Sequence, residues 1–168
     1  GTDGKAKMSK SLGNCIYLSD SPEEVRQKVM NMFTDPTHLK VSDPGHIEGN
    51  TVFTYLDAFC REEHFAQFCP DYQNLDEMKA HYQRGGLGDV KVKKFLNAVI
   101  QSELEPIRQR RAQYEADIPF VLEMLKTGSE KAAQVAQKTL DEVRAAMKLN
   151  YFDTDEFAKE QLALFSKS

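Results

Sequence analysis

The chain has 168 residues, of which 40% are hydrophobic and 29% are charged, with a formal net charge of −4 at pH 7. This length suffices for one domain of ordinary size, or two small ones, with a hydrophobic core that needs no disulfides. No apolar run approaches the roughly 20 residues of a membrane-spanning helix, and no signal-peptide pattern is present. We therefore expect a cytoplasmic protein that does not contact membranes.

The cysteines and histidines do not form a metal-binding pattern. Cys15, Cys60 and Cys69 are an odd number with no metal-ligand spacing, and the four histidines are scattered. We interpret the cysteines as reduced thiols and expect no metal site. The chain opens with Gly1 rather than methionine, as a fragment of a longer protein does.

Residues 1–14 read GTDGKAKMSKSLGN and lack apolar periodicity, which predicts a loop. We expect this loop to have no fixed conformation. Lysine ammonium groups, serine hydroxyls and backbone amides beside glycine are the donors that bind phosphate oxygens. A mobile loop can bring them to charge that develops during a reaction. The alternative is a solvated, charged tail.

The next segments contain helix-start patterns. Ser21, Pro22 and Glu24 form a capping box with proline at the first helical position. Residues 34–50, TDPTHLKVSDPGHIEGN, carry two prolines and two glycines and predict a long connection. Helical patterns resume at Thr51, with Asn50 as the capping residue.

Two further helices follow in the middle of the chain. NLDEMKAHYQ begins with a capping asparagine, and Gly85 and Gly86 end its helix. Asp89 begins the longest helical pattern, in which Pro106 predicts a kink.

The last third of the chain predicts shorter helices. Pro119, Gly128 and Ser129 predict breaks, with Ser129 capping a following alanine-rich helix, and a last helix is expected from Asp153 or Thr154. Since no segment alternates with period two for long enough to form a strand, the sequence predicts an all-α helical bundle.

A basic stretch runs from Lys79 to Arg111. It holds eight basic and three acidic residues, a local charge of +5 in a chain whose remaining residues sum to −9. This asymmetry is typical of a surface that binds a polyanion, although a solvated helix face with internal ion pairs is the alternative. Tyr82, Arg84 and the glycine turn 85–88 are candidates to contact an unpaired base.

The octapeptide KMSKSLGN at 7–14 resembles the phosphate loop of class I aminoacyl-tRNA synthetases, which closes over ATP while the amino acid is adenylated. The resemblance implies that five residues bind ATP: Lys7, Met8, Ser9, Lys10 and Ser11. It further implies that Lys7 and Lys10 are catalytic and contact the triphosphate, Lys10 more intimately, with Mg²⁺ accompanying ATP. The motif indicates the class and not the amino acid.

Several longer segments resemble the C-terminal part of bacterial tryptophanyl-tRNA synthetases, from Gly1 to about Phe152. They include DPGHIEGNTVFTYLDAF, HYQRGGLGDVKVKKFL and GSEKAAQVAQKTLDEVRAAM. The resemblance implies three parts: a phosphate loop and remnant of a catalytic domain at 1–20, a helical anticodon-binding domain at 21–152, and an extension at 153–168. A fragment of a tyrosine or methionine enzyme and a stand-alone helical RNA-binding or adaptor module are the alternatives.

The family's other catalytic motif, His-x-Gly-His, is absent from this chain. We therefore expect a fragment that neither catalyses adenylation nor holds ATP alone, whereas its parent joins tryptophan to tRNA(Trp). The parent is expected to be a homodimer and the fragment a monomer. The expected partner is the anticodon stem-loop, contacted by six basic residues: Lys79, Arg84, Lys91, Lys94, Arg108 and Arg111.

Overall fold

A computed structural model describes residues 1–151 and 155–166, and the regular structure in these ranges is entirely helical. A short 3₁₀ turn, Lys10–Leu12, precedes the helices. The helices are α1 (Pro22–Met30), α2 (Thr51–Phe59), α3 (Glu62–Phe68), α4 (Leu75–Arg84), α5 (Asp89–Glu115), α6 (Ile118–Ala146) and α7 (Asp155–Phe165). The predicted all-α fold class is confirmed.

The predicted helix starts are explained by side chains that cap them. The Ser21 hydroxyl accepts a hydrogen bond from the Glu24 amide, and the Glu24 carboxylate accepts one from the Ser21 amide at 2.7 Å. At the starts of α2 and α4, the Asn50 and Asn74 side-chain oxygens accept hydrogen bonds from the Val52 and Glu77 amides, without a reciprocal bond. These oxygens satisfy amides that have no partner inside the helix. The connection 34–50 contains no helix, as predicted.

The predicted breaks at Gly128 and Ser129 are wrong, because α6 continues through both residues. A glycine in a helix interior costs only about 1 kcal/mol, which the surrounding alanine-rich turns offset. Pro119 lies in the first turn of α6, where its missing amide is not needed. Pro106 lies inside α5, which continues to Glu115. The predicted start of the last helix, at Asp153 or Thr154, falls outside the described residues.

The chain divides into two compact units, Gly1–Ala112 and Gln113–Ser168. The hydrophobic core lies in the first unit, where α1, α2, α4 and α5 supply most of its side chains. The largest fully buried side chains are those of Tyr82, Phe53, Phe65, Met32, Leu56 and Met78. The second unit contains α6 and α7, and none of its described residues is buried.

A polar cluster around Asp89 ties the long connection to the start of α5. The Tyr82 hydroxyl donates to one Asp89 carboxylate oxygen at 2.7 Å and accepts from the Asn50 amide at 3.3 Å. Thr34 donates to the other oxygen, and His38 Nδ1 lies 3.3 Å from the first. Burial and the bond to Asp89 raise the pKa of Tyr82, so its hydroxyl remains a donor at neutral pH.

Candidate phosphate loop and nucleic-acid interface

The lysine- and serine-rich segment has a defined conformation, contrary to the expectation of a loop without one. Its backbone turns at Lys10–Leu12, and Gly13 closes the turn with φ 64°, donating to the Lys10 carbonyl at 3.2 Å. The Thr2 amide donates to the Asn14 carbonyl, and the Phe33 amide donates to the Thr2 carbonyl, both at 3.0 Å. The segment is therefore folded on itself and attached to the end of α1.

The side chain of Asn14 organises the interior of this loop. Its Oδ1 accepts from the Ser9 amide at 2.8 Å, while its Nδ2 donates to Asp3 Oδ1 at 3.2 Å and to the Lys7 carbonyl at 3.4 Å. Asn14 is only 3% exposed. A buried amide with its hydrogen bonds satisfied fixes the backbone around it. Asn14 was not predicted from the sequence, because asparagine after glycine is also common in ordinary turns.

The Lys7 and Lys10 side chains are exposed. Within the described residues, neither ammonium group has a hydrogen bond or an ion pair with a carboxylate. The Ser9 and Ser11 hydroxyls lie 2.9 Å apart on the same turn. The structure thus brings the two predicted hydroxyls together and leaves both predicted cations exposed on the same segment, with donors available for an external anion.

Asp3 is the carboxylate closest in sequence to these lysines. Desolvation raises the pKa of Asp3, but hydrogen bonds from the Lys5 amide and the Asn14 side chain outweigh this effect and lower the pKa below its usual value. Asp3 therefore stays ionised and bonded inside the loop rather than to the lysine side chains.

In the basic stretch, ion pairs separate the candidate residues into two groups. Lys79 pairs with Asp57, Lys91 pairs with Asp71 at 2.7 Å, and Arg108 pairs with Glu105 at 3.0 Å. Within the described residues, Arg84 and Lys94 have no such partner, and both are exposed. Arg111 is also exposed and has a contact of its own.

Lys93, a further cation of this stretch, faces inward. Its ammonium group donates to the Met30 carbonyl at 3.0 Å, and burial lowers its pKa. It therefore caps the C-terminal end of α1 instead of facing solvent.

A pocket of about 440 Å³ lies between the end of α4 and the start of α5. Its walls include the side chains of Tyr72, His81, Lys91 and Lys94. Gly86, in the turn between α4 and α5, also lines it. The Tyr72 hydroxyl lies 2.8 Å from His81 Nδ1, and the Lys91 ammonium group lies 5.5 Å from the Tyr72 ring centre. Lys91 and Lys94 share one face, because α5 begins at Asp89 as the sequence predicts.

Glycine is required at the turn beside the pocket. Gly85 and Gly86 have φ values of 85° and 104°. A β-carbon at Gly86 would lie 2.8 Å from His81 Nε2, and one at Gly85 would lie 2.4 Å from the Ser42 carbonyl oxygen. The turn therefore lets the backbone approach the pocket closely.

Tyr82 does not fulfil its predicted role as a surface contact for a base. Its ring is fully buried in the core, against Phe53 and His38. Tyr72 and His81 form the pocket instead. Sequence reasoning missed them because they lie on opposite sides of a helix start and share no motif.

Residues 1–105 match the model of the family described as tRNA synthetases class I (W and Y). The chain belongs to this family. Relatives of this class I synthetase chain include the tryptophan–tRNA ligase of Clostridium longisporum, which is 61% identical over 153 residues. The match covers 91% of this chain and 42% of that ligase. The ligase of Streptococcus pyogenes is 57% identical over 152 residues, covering 90% of this chain and 43% of its own. The predicted resemblance to bacterial tryptophanyl-tRNA synthetases is confirmed.

Solved structures of the family show the same architecture. The tryptophanyl-tRNA synthetase of Campylobacter jejuni superposes with a TM-score of 0.68 at 26% identity, over 88% of this chain and 44% of that one. A second structure of that enzyme, complexed with ADP and tryptophan, gives the same TM-score over 42% of its length. This synthetase chain thus spans less than half the length of the relatives it matches.

The described residues contain no group of three or more histidine, cysteine, aspartate or glutamate side chains that could hold a metal ion. No helix in the described ranges is long and apolar enough to cross a membrane.

Proposed function

We propose that this chain supplies the triphosphate-binding loop of a tryptophan–tRNA ligase, which makes tryptophanyl-adenylate from tryptophan and ATP and transfers it to tRNA(Trp). The observation that carries the proposal is the pair of exposed cations, Lys7 and Lys10, on a turn that Asn14 fixes. Membership of the W and Y synthetase family supports it. We further propose that the longer ligase acts in the cytoplasm as a homodimer, and that the 168-residue chain alone is an inactive monomer.

The proposed chemistry needs positive charge opposite a leaving group. The tryptophan carboxylate attacks the α-phosphorus of ATP, the bond to the β-phosphate oxygen breaks, and pyrophosphate leaves. Lys7 and Lys10 would offset the negative charge that grows on the departing oxygens, and their fixed loop would limit the entropy lost in positioning them. The loop offers cationic and hydroxyl donors, so Mg²⁺ would be held by the phosphates themselves.

A chimeric ligase tests this role. The 153-residue matching stretch of the Clostridium longisporum ligase is replaced by this chain, and ATP–pyrophosphate exchange with tryptophan is measured. We expect Lys10→Ala to reduce kcat for exchange by about 100-fold, the size expected when an electrostatic donor to a transition state is removed. The Michaelis constant for tryptophan should change little.

Lys5→Ala is the matched control, since it removes an exposed lysine from the same loop outside the motif. The Lys5→Ala variant should keep kcat for ATP–pyrophosphate exchange within roughly twofold of wild type. If Lys10→Ala instead weakened tryptophan binding and left the rate unchanged, the triphosphate role would be wrong.

We propose a second role for the surface around Lys91 and Lys94: binding the anticodon stem-loop of tRNA(Trp). Three observations support this proposal. The local charge over 79–111 is +5, and Arg84 and Lys94 are exposed and have no carboxylate partner among the described residues. The nearby pocket also has an aromatic wall. An unpaired base can stack on an aromatic ring while lysines contact its phosphates.

The other predicted cations would contribute less to this interface. Carboxylate partners already offset part of the positive charge of Lys79, Lys91 and Arg108. Arg111 adds positive charge at the far end of the stretch.

The salt dependence of binding tests the RNA proposal. We expect the chain to bind a tryptophan anticodon stem-loop less tightly as salt rises. Lys94→Ala should lower the log–log slope by roughly 0.7 to 0.9, the loss of one phosphate contact. Lys126→Ala, on α6, serves as the control and should leave the slope unchanged.

Sequence discrimination is measured separately. Arg84→Ala should reduce the preference for the tryptophan anticodon over a mismatched one, because a guanidinium can read a base edge. Equal affinity of the wild-type chain for matched and mismatched stem-loops would show that this surface does not read bases.

A further inference from the structure

An apolar groove of about 400 Å³ lies beside the phosphate loop. Its walls come from the segment after the loop, from α2 and from α5, including Ile16, Tyr55, Phe59 and Ile107. Met8, the second residue of the KMSKS motif, lines its mouth. The catalytic motif and the helical core therefore meet at this groove.

One side-chain contact joins Met8 to the helical core. The Tyr55 hydroxyl, on α2, lies 3.8 Å from Met8 Sδ and donates toward it. Methionine sulfur is a weak acceptor, but the flexible thioether also packs well against apolar and aromatic walls. The ring of Tyr55 is half-buried and packs against the core, and burial raises its pKa, so the donor keeps its proton at neutral pH.

The other hydrogen bonds of the motif stay inside the loop. Asn14 bonds the Ser9 amide and the Lys7 carbonyl, and Ser9 bonds Ser11. Among the described residues, the Tyr55–Met8 contact alone ties a motif side chain to a helix by a hydrogen bond. Consecutive α-carbons lie about 3.8 Å apart, so fixing Met8 limits how far Lys7 and Lys10 can move.

We propose that Tyr55 is a positioning residue for the lysine loop. It holds the Met8 thioether at the mouth of the groove and thereby presents Lys7 and Lys10 to the triphosphate. The inference rests on the proposed function of the loop. It assigns to α2, a helix outside the motif, part of the preorganisation that adenylation requires.

The contact itself is tested by amide hydrogen exchange on the 168-residue chain without nucleotide. Tyr55→Phe keeps the ring and removes the hydroxyl. We expect exchange in a peptide covering residues 8–13 to accelerate roughly three- to tenfold, the effect of losing one hydrogen bond. Met8→Leu, which keeps the apolar volume and removes the sulfur, should give a similar acceleration. The double variant, Tyr55→Phe with Met8→Leu, should exchange little faster than either single variant.

The functional consequence is tested in the chimeric ligase by ATP–pyrophosphate exchange. Tyr55→Phe should raise the Michaelis constant for ATP roughly three- to tenfold. The Michaelis constant for tryptophan and the melting temperature of the protein should both stay within error of wild type. Tyr17→Phe is the matched control. It removes a hydroxyl close to the loop, from a ring that packs against Lys28, and should change neither constant.

The outcomes separate this inference from the function on which it rests. Unchanged exchange of residues 8–13 in Tyr55→Phe, or an equal rise in both Michaelis constants, overturns the positioning role. A wild-type chimera without exchange activity overturns the proposed function. An active wild type whose ATP constant is insensitive to Tyr55→Phe overturns the positioning role alone.

Discussion

At the scale of single residues, the loop depends on one asparagine more than on its lysines. Asn14 uses both ends of its amide, and the groups it bonds span residues 3 to 9. The proposed triphosphate contacts come from the lysines, whereas Asn14 holds the backbone of the loop by hydrogen bonds. The two kinds of residue should therefore respond differently to mutation.

Asn14→Ala should destabilise the protein by about 1–3 kcal/mol, because the Ser9 amide and the Lys7 carbonyl lose a buried hydrogen-bond partner. Urea unfolding measures the free energy. Asn31→Ala is the control: this asparagine is exposed at the end of α1 and should cost less than about 0.5 kcal/mol. Equal losses for both variants would contradict the organising role of Asn14.

Asp35 makes a pH-dependent contribution to stability. Desolvation raises its pKa, but hydrogen bonds from Thr37 and His46 outweigh this and hold the pKa well below its usual value. A carboxylate with a depressed folded-state pKa stabilises the fold above its unfolded pKa of about 4 and loses that contribution as the pH falls further. The contribution should be complete at pH 6 and decline below pH 4.

Asp35→Asn should remove this dependence. The variant should be less stable than wild type at pH 6, since an amide cannot accept all the bonds that the carboxylate accepts, and the difference should narrow toward pH 3. Urea unfolding at a series of pH values measures both curves. Parallel curves from pH 6 to pH 3 would show that Asp35 is not the titrating group.

At the scale of elements, the sequence predicted helix starts better than helix interiors. Ser21, Asn50 and Asn74 cap helices as expected, because a cap is a local contact between residues two or three apart. The breaks predicted at Gly128 and Ser129 failed because a single poor helix former is outweighed by the turns around it. Propensity is a weak prior within a long helix.

The candidate phosphate loop and its surroundings were predicted only in part, because sequence patterns reveal local contacts better than contacts between distant residues. The KMSKS motif is contiguous, so its cations and hydroxyls are visible in the sequence. The Tyr55–Met8 contact joins residues 47 apart, and Tyr72 reaches His81 across the start of α4. Such contacts depend on how helices pack, which periodicity alone does not specify.

Gly128→Ala should stabilise α6. A β-carbon at this position meets no atom of the described residues within 4 Å beyond the neighbouring backbone of its own helix. Alanine loses less backbone entropy than glycine by about 0.5–1 kcal/mol. Amide exchange within α6 should slow roughly two- to fivefold. Gly85→Ala is the opposing control and should destabilise the protein. Its β-carbon would lie 2.4 Å from the Ser42 carbonyl oxygen, and the backbone at this position has φ 85°. Faster exchange in α6 for Gly128→Ala would contradict the prediction.

At the scale of the whole molecule, both candidate sites lie in the unit Gly1–Ala112. The candidate phosphate loop occupies its first 14 residues, and the pocket of Tyr72 and Lys94 lies between α4 and α5. The excess positive charge of 79–111 contrasts with an acidic remainder, and such an asymmetry would favour binding of a polyanion to this part of the chain. The first unit therefore holds the core and the proposed chemistry together.

A chain truncated after Glu115 tests whether this unit is self-sufficient. The truncation keeps α5 whole, and the buried hydrophobic residues run from Cys15 to Leu104. Since hydrophobic burial is the dominant favourable term in folding, the shortened chain should unfold cooperatively, with a midpoint within a few degrees of the full chain. For binding of the stem-loop, the slope of log affinity against log salt should also equal that of the full chain, because the proposed phosphate contacts precede residue 112. Loss of cooperative unfolding would show that residues 116–168 supply stability that the buried residues do not account for.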